Sequence, residues 1–272
     1  MTWLYKHRFL ILRRLSQMSI IVLYFGAHAY GWEVLEGTLS GSLVLGTVPL
    51  ADPFMVLQMT AAGALVGMDV IVGAIIIATF YALIGGRAFC SWVCPVNMVT
   101  DAASGLRRWL RINEVIRREI LTRSMRYWIL GLSLLISALF GVAAFELVSP
   151  IGILNRGLIF GLGFGGAFIL GIFLFDLFGE KNGYCGHLCP LGGFYSLIGR
   201  FSLIRVNYDK EKCTNCLKCI EICPEKQVLD MIGRHDGFVT KGECTNCARC
   251  IEVCDDDALK FDLRVLTSKV KG

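Results

Sequence analysis

Twelve cysteines are the residues of this 272-residue chain with the clearest capacity for chemistry. Eight of them form two runs of identical spacing, C-x₂-C-x₂-C-x₃-C, and the second run begins 31 residues after the first. This is the bacterial two-cluster pattern, in which the fourth cysteine of each run ligates the cluster of the other run. The spacing therefore predicts one [4Fe–4S] cluster on Cys213, Cys216, Cys219 and Cys254, and a second on Cys244, Cys247, Cys250 and Cys223.

Zinc is the main alternative for cysteines in tight spacing, because structural zinc sites use paired C-x₂₋₄-C knuckles. Two matching runs of four cysteines do not fit that arrangement and favour iron–sulfur clusters. One position departs from the pattern: Pro224 follows the first run, whereas Asp255 follows the second. We expect this acid to alter the local turn more than the ligation.

The other four cysteines form two C-x-x-x-C-P pairs, Cys90 with Cys94 and Cys185 with Cys189. In a helix, residues four apart lie on one face. Each pair follows an apolar run and precedes a short amphipathic segment, so the chain contains a weak internal repeat of two related helix hairpins. If the hairpins pack about a pseudo-twofold axis, four thiolates converge on a third metal site, either an iron–sulfur cluster or a single iron. A redox-active dithiol, a docking surface and inert buried thiols are the competing interpretations.

Several ionisable side chains fall near apolar runs, where such groups are costly and therefore candidates for function. His28, Asp52 and Glu146 lie near the predicted periplasmic face. Oxidation of a quinol releases two protons, and a histidine or carboxylate at the membrane edge suits the acceptor. Asp176 is the alternative acid if the quinol site is on the cytoplasmic side.

The elements that must position these residues are mostly apolar. The chain is 55% hydrophobic and 18% charged with a mean hydropathy of +0.60, whereas a soluble domain carries about 25% charged residues. Four apolar runs precede residue 180 and predict transmembrane helices: Leu15 to Trp32, Phe54 to Ile84, Tyr127 to Val148 and Leu158 to Phe178. In the second run the first half contains Gly63, Gly67 and Asp69, which indicates an interfacial or re-entrant segment.

Positive charge orients these runs. Eight arginines lie between the second and third runs: Arg87, Arg107, Arg108, Arg111, Arg117, Arg118, Arg123 and Arg126. Four further Lys or Arg residues precede the first run, whereas Gly31 to Asp69 contains none and Ser149 to Gly157 only Arg156. By the positive-inside rule both termini are cytoplasmic in a bacterial inner membrane. The basic residues flank apolar runs and form no stripe, so nucleic acid is not an expected partner.

The predicted architecture is thus an all-α membrane domain of four transmembrane helices in residues 1–204, followed by a small α+β two-[4Fe–4S] ferredoxin-like domain in residues 205–272. With two C-x-x-x-C-P motifs, at Cys90 and Cys185, and the ferredoxin tail, the chain resembles the NapH-type quinol dehydrogenase membrane component and is similar to MauN-like and NosR-like membrane ferredoxins. It has no room for the large periplasmic flavin domain of NosR-like proteins.

The resemblance implies oxidation of menaquinol or ubiquinol from the membrane pool and electron delivery through a NapG-like periplasmic iron–sulfur protein to periplasmic nitrate reductase. The hydrocarbon core of about 30 Å that separates cytoplasmic clusters from a periplasmic reductase is too wide for one efficient electron transfer. Two other functions stay open at this point. One is a membrane ferredoxin that donates electrons to, or matures, a partner metalloenzyme; the other is a redox sensor with the C-x-x-x-C-P thiols as its switch.

Overall fold

The structure is a computed structural model that describes residues 4, 6–111, 121–160 and 163–264. In chain order its helices are Arg8–Tyr30, Pro53–Ala61, Met68–Ile84, Ala88–Trp92, Val96–Trp109, Met125–Phe140, Ala144–Val148, Pro150–Phe160, Gly163–Leu174, Pro190–Gly199, Lys218–Ile222 and Arg249–Glu252, with π-helical turns at Phe175–Gly179 and Tyr184–Leu188 and a 3₁₀ turn at Lys226–Leu229. Some residues used in the predictions lie outside the described ones. They are Arg117 and Arg118 of the eight arginines, residues 161–162 of the fourth apolar run, and residues 265–272 of the predicted second domain.

One described helix, Arg8–Tyr30, is long and apolar enough to cross a membrane. Three shorter apolar helices are Met68–Ile84, Met125–Phe140 and Gly165–Gly179. The predicted third run, Tyr127 to Val148, is not one continuous helix, because Gly141 ends Met125–Phe140 in a left-handed conformation (φ 67°) and a separate short helix follows.

The prediction of an entirely helical first part is wrong for residues 35–51. This segment forms a three-stranded antiparallel sheet with strands Leu35–Gly37, Gly41–Val44 and Val48–Ala51. Leu45 and Gly46 both have positive φ at the tight turn between the last two strands. The strands are only three or four residues long, and a pattern of such length carries little periodic signal against neighbouring apolar runs.

The chain packs into two compact units. The first comprises Met1–Ser16, Phe80–Val93 and Tyr195–Gly272, and the second comprises Gln17–Thr79 and Cys94–Phe194. The ferredoxin-like segment therefore shares its compact unit with parts of the chain far from it in sequence. The predicted boundary at residue 204 stays a prediction about which part lies in the membrane.

The first unit is built on a small sheet in which strand Ile204–Tyr208 lies between Gly237–Phe238 and Leu259–Leu263, antiparallel to both. One cluster of buried side chains forms its core: Val206, Tyr208, Cys219, Cys223, Val228, Leu229, Met231, Ile232, Val239, Cys250, Ala258 and Leu259. Because cysteines belong to this cluster, the apolar core and the sulfur ligands occupy the same interior.

A close backbone approach attaches the segment before Cys90 to the same unit. A Cβ on Gly86 would lie 2.0 Å from the carbonyl oxygen of Tyr195 and 2.4 Å from the nitrogen of Gly199, so only glycine fits there. The ring of Tyr195 packs against Phe89 and Tyr81, with centroid distances of 5.0 and 5.3 Å. These contacts fix the start of the first C-x-x-x-C-P motif.

In the second unit, helix Pro53–Ala61 packs on Met125–Phe140. Asp52 caps the first of these helices by accepting from the Phe54 amide at 3.2 Å. Gln58 is fully buried, and its Oε1 accepts a hydrogen bond of 2.9 Å from the Phe145 amide. The first half of the predicted second run is therefore a separate short helix.

Candidate functional site

The two four-cysteine runs fold into loops of the same backbone shape. Each begins with the sequence Cys-Thr-Asn-Cys, and the asparagines, Asn215 and Asn246, have φ of 57° and 47°. The residue after the second cysteine, Leu217 or Ala248, has a φ of 60° in both loops, and a short helix follows. In each loop the two left-handed residues flank the second cysteine, and this backbone conformation curls the chain around its cysteines. The spacing repeat is therefore also a structural repeat.

Cys219 has the sulfurs of the first predicted set as its neighbours. The thiols that interact with it electrostatically are Cys254, Cys213 and Cys216. Asp256, two residues after Cys254, accepts hydrogen bonds of 2.9 and 2.7 Å from the amide and hydroxyl of Thr214. The end of the second run is thereby tied to the start of the first, as crossed ligation requires.

The second predicted set surrounds a cavity. Its lining includes all four cysteines of that set: Cys223, Cys244, Cys247 and Cys250. Burial raises the pKa of Cys244 to about 11 and that of Cys250 well above its ordinary value, and nearby thiols add to the shift. Buried thiols of this kind bind as thiolates only when a metal compensates their charge.

A four-sulfur donor set around an enclosed space fits a [4Fe–4S] cluster. Among the described residues, no three His, Cys, Asp or Glu side chains are grouped to hold a single metal ion. The four cysteines of a cubane each bind a different iron, so their sulfurs stand further apart than ligands of one ion.

The C-x-x-x-C-P pairs are less regular than a helical pair. Helix Ala88–Trp92 ends before Cys94, and the π-helical turn Tyr184–Leu188 ends before Cys189. Each pair thus has one cysteine inside a helical turn and one just beyond it, which corrects the expectation that both lie stacked on one helix face.

Three of these four cysteines belong to the second unit and gather around one phenol. Burial raises the pKa of Tyr184, and the neighbouring Cys189, Cys185 and Cys94 raise it further. The sulfur of Cys185 is 3.9 Å from the hydroxyl of Thr100 on the helix that follows Cys94. The two motifs are therefore neighbours within this unit.

A polar network holds the second motif against helix Val96–Trp109. The NH1 of Arg107 donates to the carbonyls of Asp176, Leu177 and Gly179 at 3.1–3.2 Å. The carboxylate of Asp176 accepts from the Tyr184 amide at 3.0 Å. Asp176, the alternative proton acceptor, thus has a structural role in positioning the loop that carries Cys185.

Two family models match the chain. A 4Fe-4S binding domain matches twice, at residues 66–113 and 161–208, and a 4Fe-4S dicluster domain matches residues 205–255. The first model covers one C-x-x-x-C-P motif in each copy, which confirms the internal repeat. No solved structure matches.

Curated relatives are similar along most of the chain. The ferredoxin-type protein NapH of Haemophilus influenzae is 46% identical over 84% of this chain and 78% of its own length. NapH of Escherichia coli is 42% identical over 84% of this chain and 78% of its own length. The methylamine utilization ferredoxin-type protein MauN of Paracoccus denitrificans is 42% identical over 84% of this chain and 80% of its own length. The chain belongs to the NapH/MauN family of ferredoxin-type proteins. The predicted resemblance is confirmed, and the family's iron–sulfur electron-transfer character applies to this member.

In this NapH/MauN-type protein, two of the candidate proton acceptors, Asp52 and Glu146, are hydrogen-bonded to the same residue, Ser40. The hydroxyl of Ser40 donates to the Glu146 carboxylate at 2.5 Å, and the carbonyl of Ser40 accepts from the Asp52 amide at 2.8 Å. His28 is exposed in the last turn of helix Arg8–Tyr30. The structure therefore brings Asp52 and Glu146 together at Ser40.

Sequence reasoning missed the residues that connect the first motif to the second cysteine loop. The buried guanidinium of Arg87 pairs with the buried carboxylate of Glu225 and donates to the Glu243 carbonyl at 3.1 Å. Ser91 donates to the Thr245 carbonyl at 2.7 Å, and Trp92 Nε1 donates to the Asn246 carbonyl at 3.0 Å.

These bonds engage the backbone of residues 243–246, which surrounds Cys244. Burial opposes the charge of Arg87, but Glu225 and Cys90 together raise its pKa above the usual value. The sequence signal for this contact was an arginine, Arg87, three residues before Cys90.

Proposed function

We propose that this protein is a membrane electron-transfer subunit that takes electrons from quinol and passes them through two [4Fe–4S] clusters toward a periplasmic reductase. The observation that carries the proposal is the pair of four-sulfur sets in one compact unit. The segment bearing Cys90 is hydrogen-bonded to the loop of Cys244 in that same unit. Electrons would therefore have a route between the cluster module and the first C-x-x-x-C-P motif.

Four transmembrane helices in a bacterial inner membrane, with both termini cytoplasmic, are part of the proposal. Large apolar side chains are exposed along the apolar helices, among them Val22 and Phe25, Val72 and Ile75, Leu132, Leu135 and Leu139, and Leu170 and Leu174. Exposed apolar surface of this extent is typical of contact with lipid. Polar side chains in the same helices, such as Gln17 and Ser137, are buried instead.

We assign one cluster to Cys213, Cys216, Cys219 and Cys254, and the other to Cys244, Cys247, Cys250 and Cys223. Such clusters supply one-electron storage without covalent chemistry. A third [4Fe–4S] cluster on Cys90, Cys94, Cys185 and Cys189 is a further part of the proposal. Its support is the 4Fe-4S binding domain that matches around each pair, together with the grouping of three of these thiols around Tyr184.

Quinol would bind near Ser40, where Glu146 and Asp52 lie together. Glu146 suits the role of proton acceptor, because its carboxylate already accepts a hydrogen bond from a hydroxyl, that of Ser40. Asp52 would orient the site through the helix that it caps, and His28 is the remaining candidate base.

The NapH relatives support a NapG-like periplasmic iron–sulfur protein as the next electron carrier and nitrate reductase as the terminal enzyme. The MauN relatives, at comparable identity, favour a second candidate function. In that alternative the protein supplies electrons for the maturation of a partner metalloenzyme in methylamine utilization.

Reduction by quinol separates the two functions. The purified full-length protein is mixed anaerobically with menaquinol or ubiquinol analogues, and cluster reduction is followed by EPR. We expect reduction by one quinol and slower reduction in Glu146→Gln, with Glu36→Gln in the nearby sheet as the matched control. Absence of reduction by either quinol, alone or with the partner iron–sulfur protein, would favour the maturation role.

A further inference from the structure

The two cysteine loops are equal in sequence and backbone shape but not in their surroundings. In the first loop Cys216 is exposed, whereas Cys247 at the equivalent position of the second loop is buried. Lys218, which interacts electrostatically with Cys216 of the first set, is exposed and pairs with Asp255 at 2.8 Å. Charges in such a position are screened by solvent.

Two buried arginines stand beside the second loop. Arg205 is fully buried on strand Ile204–Tyr208, and its NH1 donates to the Lys241 carbonyl at 3.1 Å. The same carbonyl accepts the Cys244 amide at 3.2 Å, which places this guanidinium at the start of the loop. Arg87 donates to the carbonyl of Glu243, two residues after Lys241.

Arg205 also has hydrogen-bonding capacity left over. Within the described part of the chain, its Nε and NH2 are buried and have no hydrogen-bond partner. A buried guanidinium with unmet donors is costly unless an acceptor is present. Arg205 interacts electrostatically with Cys244, a ligand of the assigned second cluster. A thiolate at Cys244 would supply the negative charge that this guanidinium requires.

We propose that Arg205 raises the reduction potential of the cluster assigned to Cys223, Cys244, Cys247 and Cys250 above that of the other cluster. The inference rests on the two-cluster assignment of the proposed function. Reduction adds one negative charge to a cluster, so a nearby buried cation and hydrogen bonds to the sulfurs favour the reduced form. An electron leaving the first cluster oxidises it by one unit and reduces the second by one.

The size of the effect follows from Coulomb's law. A full charge at about 10 Å, acting through an effective dielectric constant of about 20, changes a one-electron equilibrium by on the order of tenfold. Burial alone would disfavour the added charge and lower the potential of the second cluster. Arg205 must therefore outweigh that effect of burial, and its removal should lower the reduction potential of the second cluster.

The test is a redox titration of the purified full-length protein, with the two clusters followed by EPR. In the wild type we expect two reduction steps. In Arg205→Gln the higher step should fall by about 59 mV, a tenfold change in the ratio of oxidised to reduced cluster, while the lower step stays in place. Arg205→Lys, which keeps the charge, should recover most of the shift. Lys218→Gln is the matched control and should leave the higher step unchanged.

Equal potentials of the two clusters in the wild type would overturn this inference even if Arg205→Gln failed to assemble. Equal shifts of both reduction steps in Arg205→Gln would overturn it as well. So would a reduction potential of the higher step that is as low in Arg205→Lys as in Arg205→Gln. Chemical analysis that found zinc, or fewer than two [4Fe–4S] signals, would instead refute the cluster assignment beneath it.

Discussion

The buried ion pair of Arg87 and Glu225 gives the sharpest stability prediction. Both side chains are 2% exposed, so neither charge can be solvated by water when the other is removed. Breaking a buried pair from one side costs about 3–5 kcal/mol, because an uncompensated charge stays behind. Domains are stable by about 5–15 kcal/mol, so Glu225→Leu should remove a large part of the stability of the first unit.

Replacement of both partners should behave differently. Arg87→Met combined with Glu225→Leu leaves no buried charge, and such exchanges are often neutral or stabilising by about 1–4 kcal/mol. The double variant should therefore be more stable than either single variant. If the two losses were independent, they would add to about 6–10 kcal/mol, and this contrast makes the interaction energy large enough to measure.

Urea titration of the purified protein, with the visible absorbance of the clusters as the readout, measures the effect in the unit that holds the pair. With a denaturant slope of about 2 kcal/mol per molar urea, the midpoint of Glu225→Leu should fall by about 1.5–2.5 M. Lys218→Gln is the control, since it breaks an ion pair whose side chains are 53% and 56% exposed. Such a pair contributes about 1 kcal/mol or less. The reasoning would be refuted if the urea midpoint of Glu225→Leu were no lower than that of Lys218→Gln. It would also be refuted if the double variant lost as much stability as the two single variants together.

Three further predictions concern packing and metal content. Gly86→Ala should destabilise the first unit by about 1–3 kcal/mol or more, because its Cβ would lie 2.0 Å from a backbone oxygen. Gly131→Ala should not destabilise the protein, because the space at its Cβ is open. The urea midpoints of the two variants measure the difference. Combined Cys90→Ser and Cys185→Ser substitution should lower the iron content from about 12 to about 8 atoms per chain, and an unchanged value would remove the third cluster. Asp256→Ala should accelerate iron release from one of the two ferredoxin clusters only, measured with a chelator; equal release from both would contradict the crossed grouping of cysteines.

The grouping of the cysteines is the part of the proposed site that follows most directly from the sequence. Ligand spacing acts locally: Cys213, Cys216 and Cys219 lie within a few residues, and the backbone between them has few ways to present three sulfurs together. The grouping of Cys219 with Cys254 in the structure follows from the same spacing applied twice. Because the pattern constrains the fold itself, it could be interpreted without knowledge of the rest of the chain.

The sheet at residues 35–51 and the break at Gly141 were not predicted. Both depend on single turns inside apolar sequence, and hydropathy does not distinguish a short strand or an interrupted helix from a continuous span. Glycine in a left-handed conformation decides the outcome at residues 46 and 141. The C-x-x-x-C-P pairs were likewise drawn as stacked helical pairs, whereas the proline after each pair favours termination of the turn.

Long-range contacts around the second cysteine loop could not be predicted from the sequence. Asp256 and Glu225 hold equivalent positions, each two residues after the fourth cysteine of a run. Asp256 accepts from Thr214 of the first run at the surface, whereas Glu225 is buried and pairs with Arg87, from a segment more than one hundred residues earlier.

The repeat fixes which sulfurs meet, but the insertion of Arg87 and the burial of Arg205 decide how the two sets differ electrostatically. A symmetric ferredoxin module would give its clusters similar potentials and no preferred direction for an electron. The attachment of the Cys90 segment breaks that symmetry on one side only. We expect the buried Arg205, which bonds the carbonyl that also accepts the Cys244 amide, to be the main source of unequal cluster potentials.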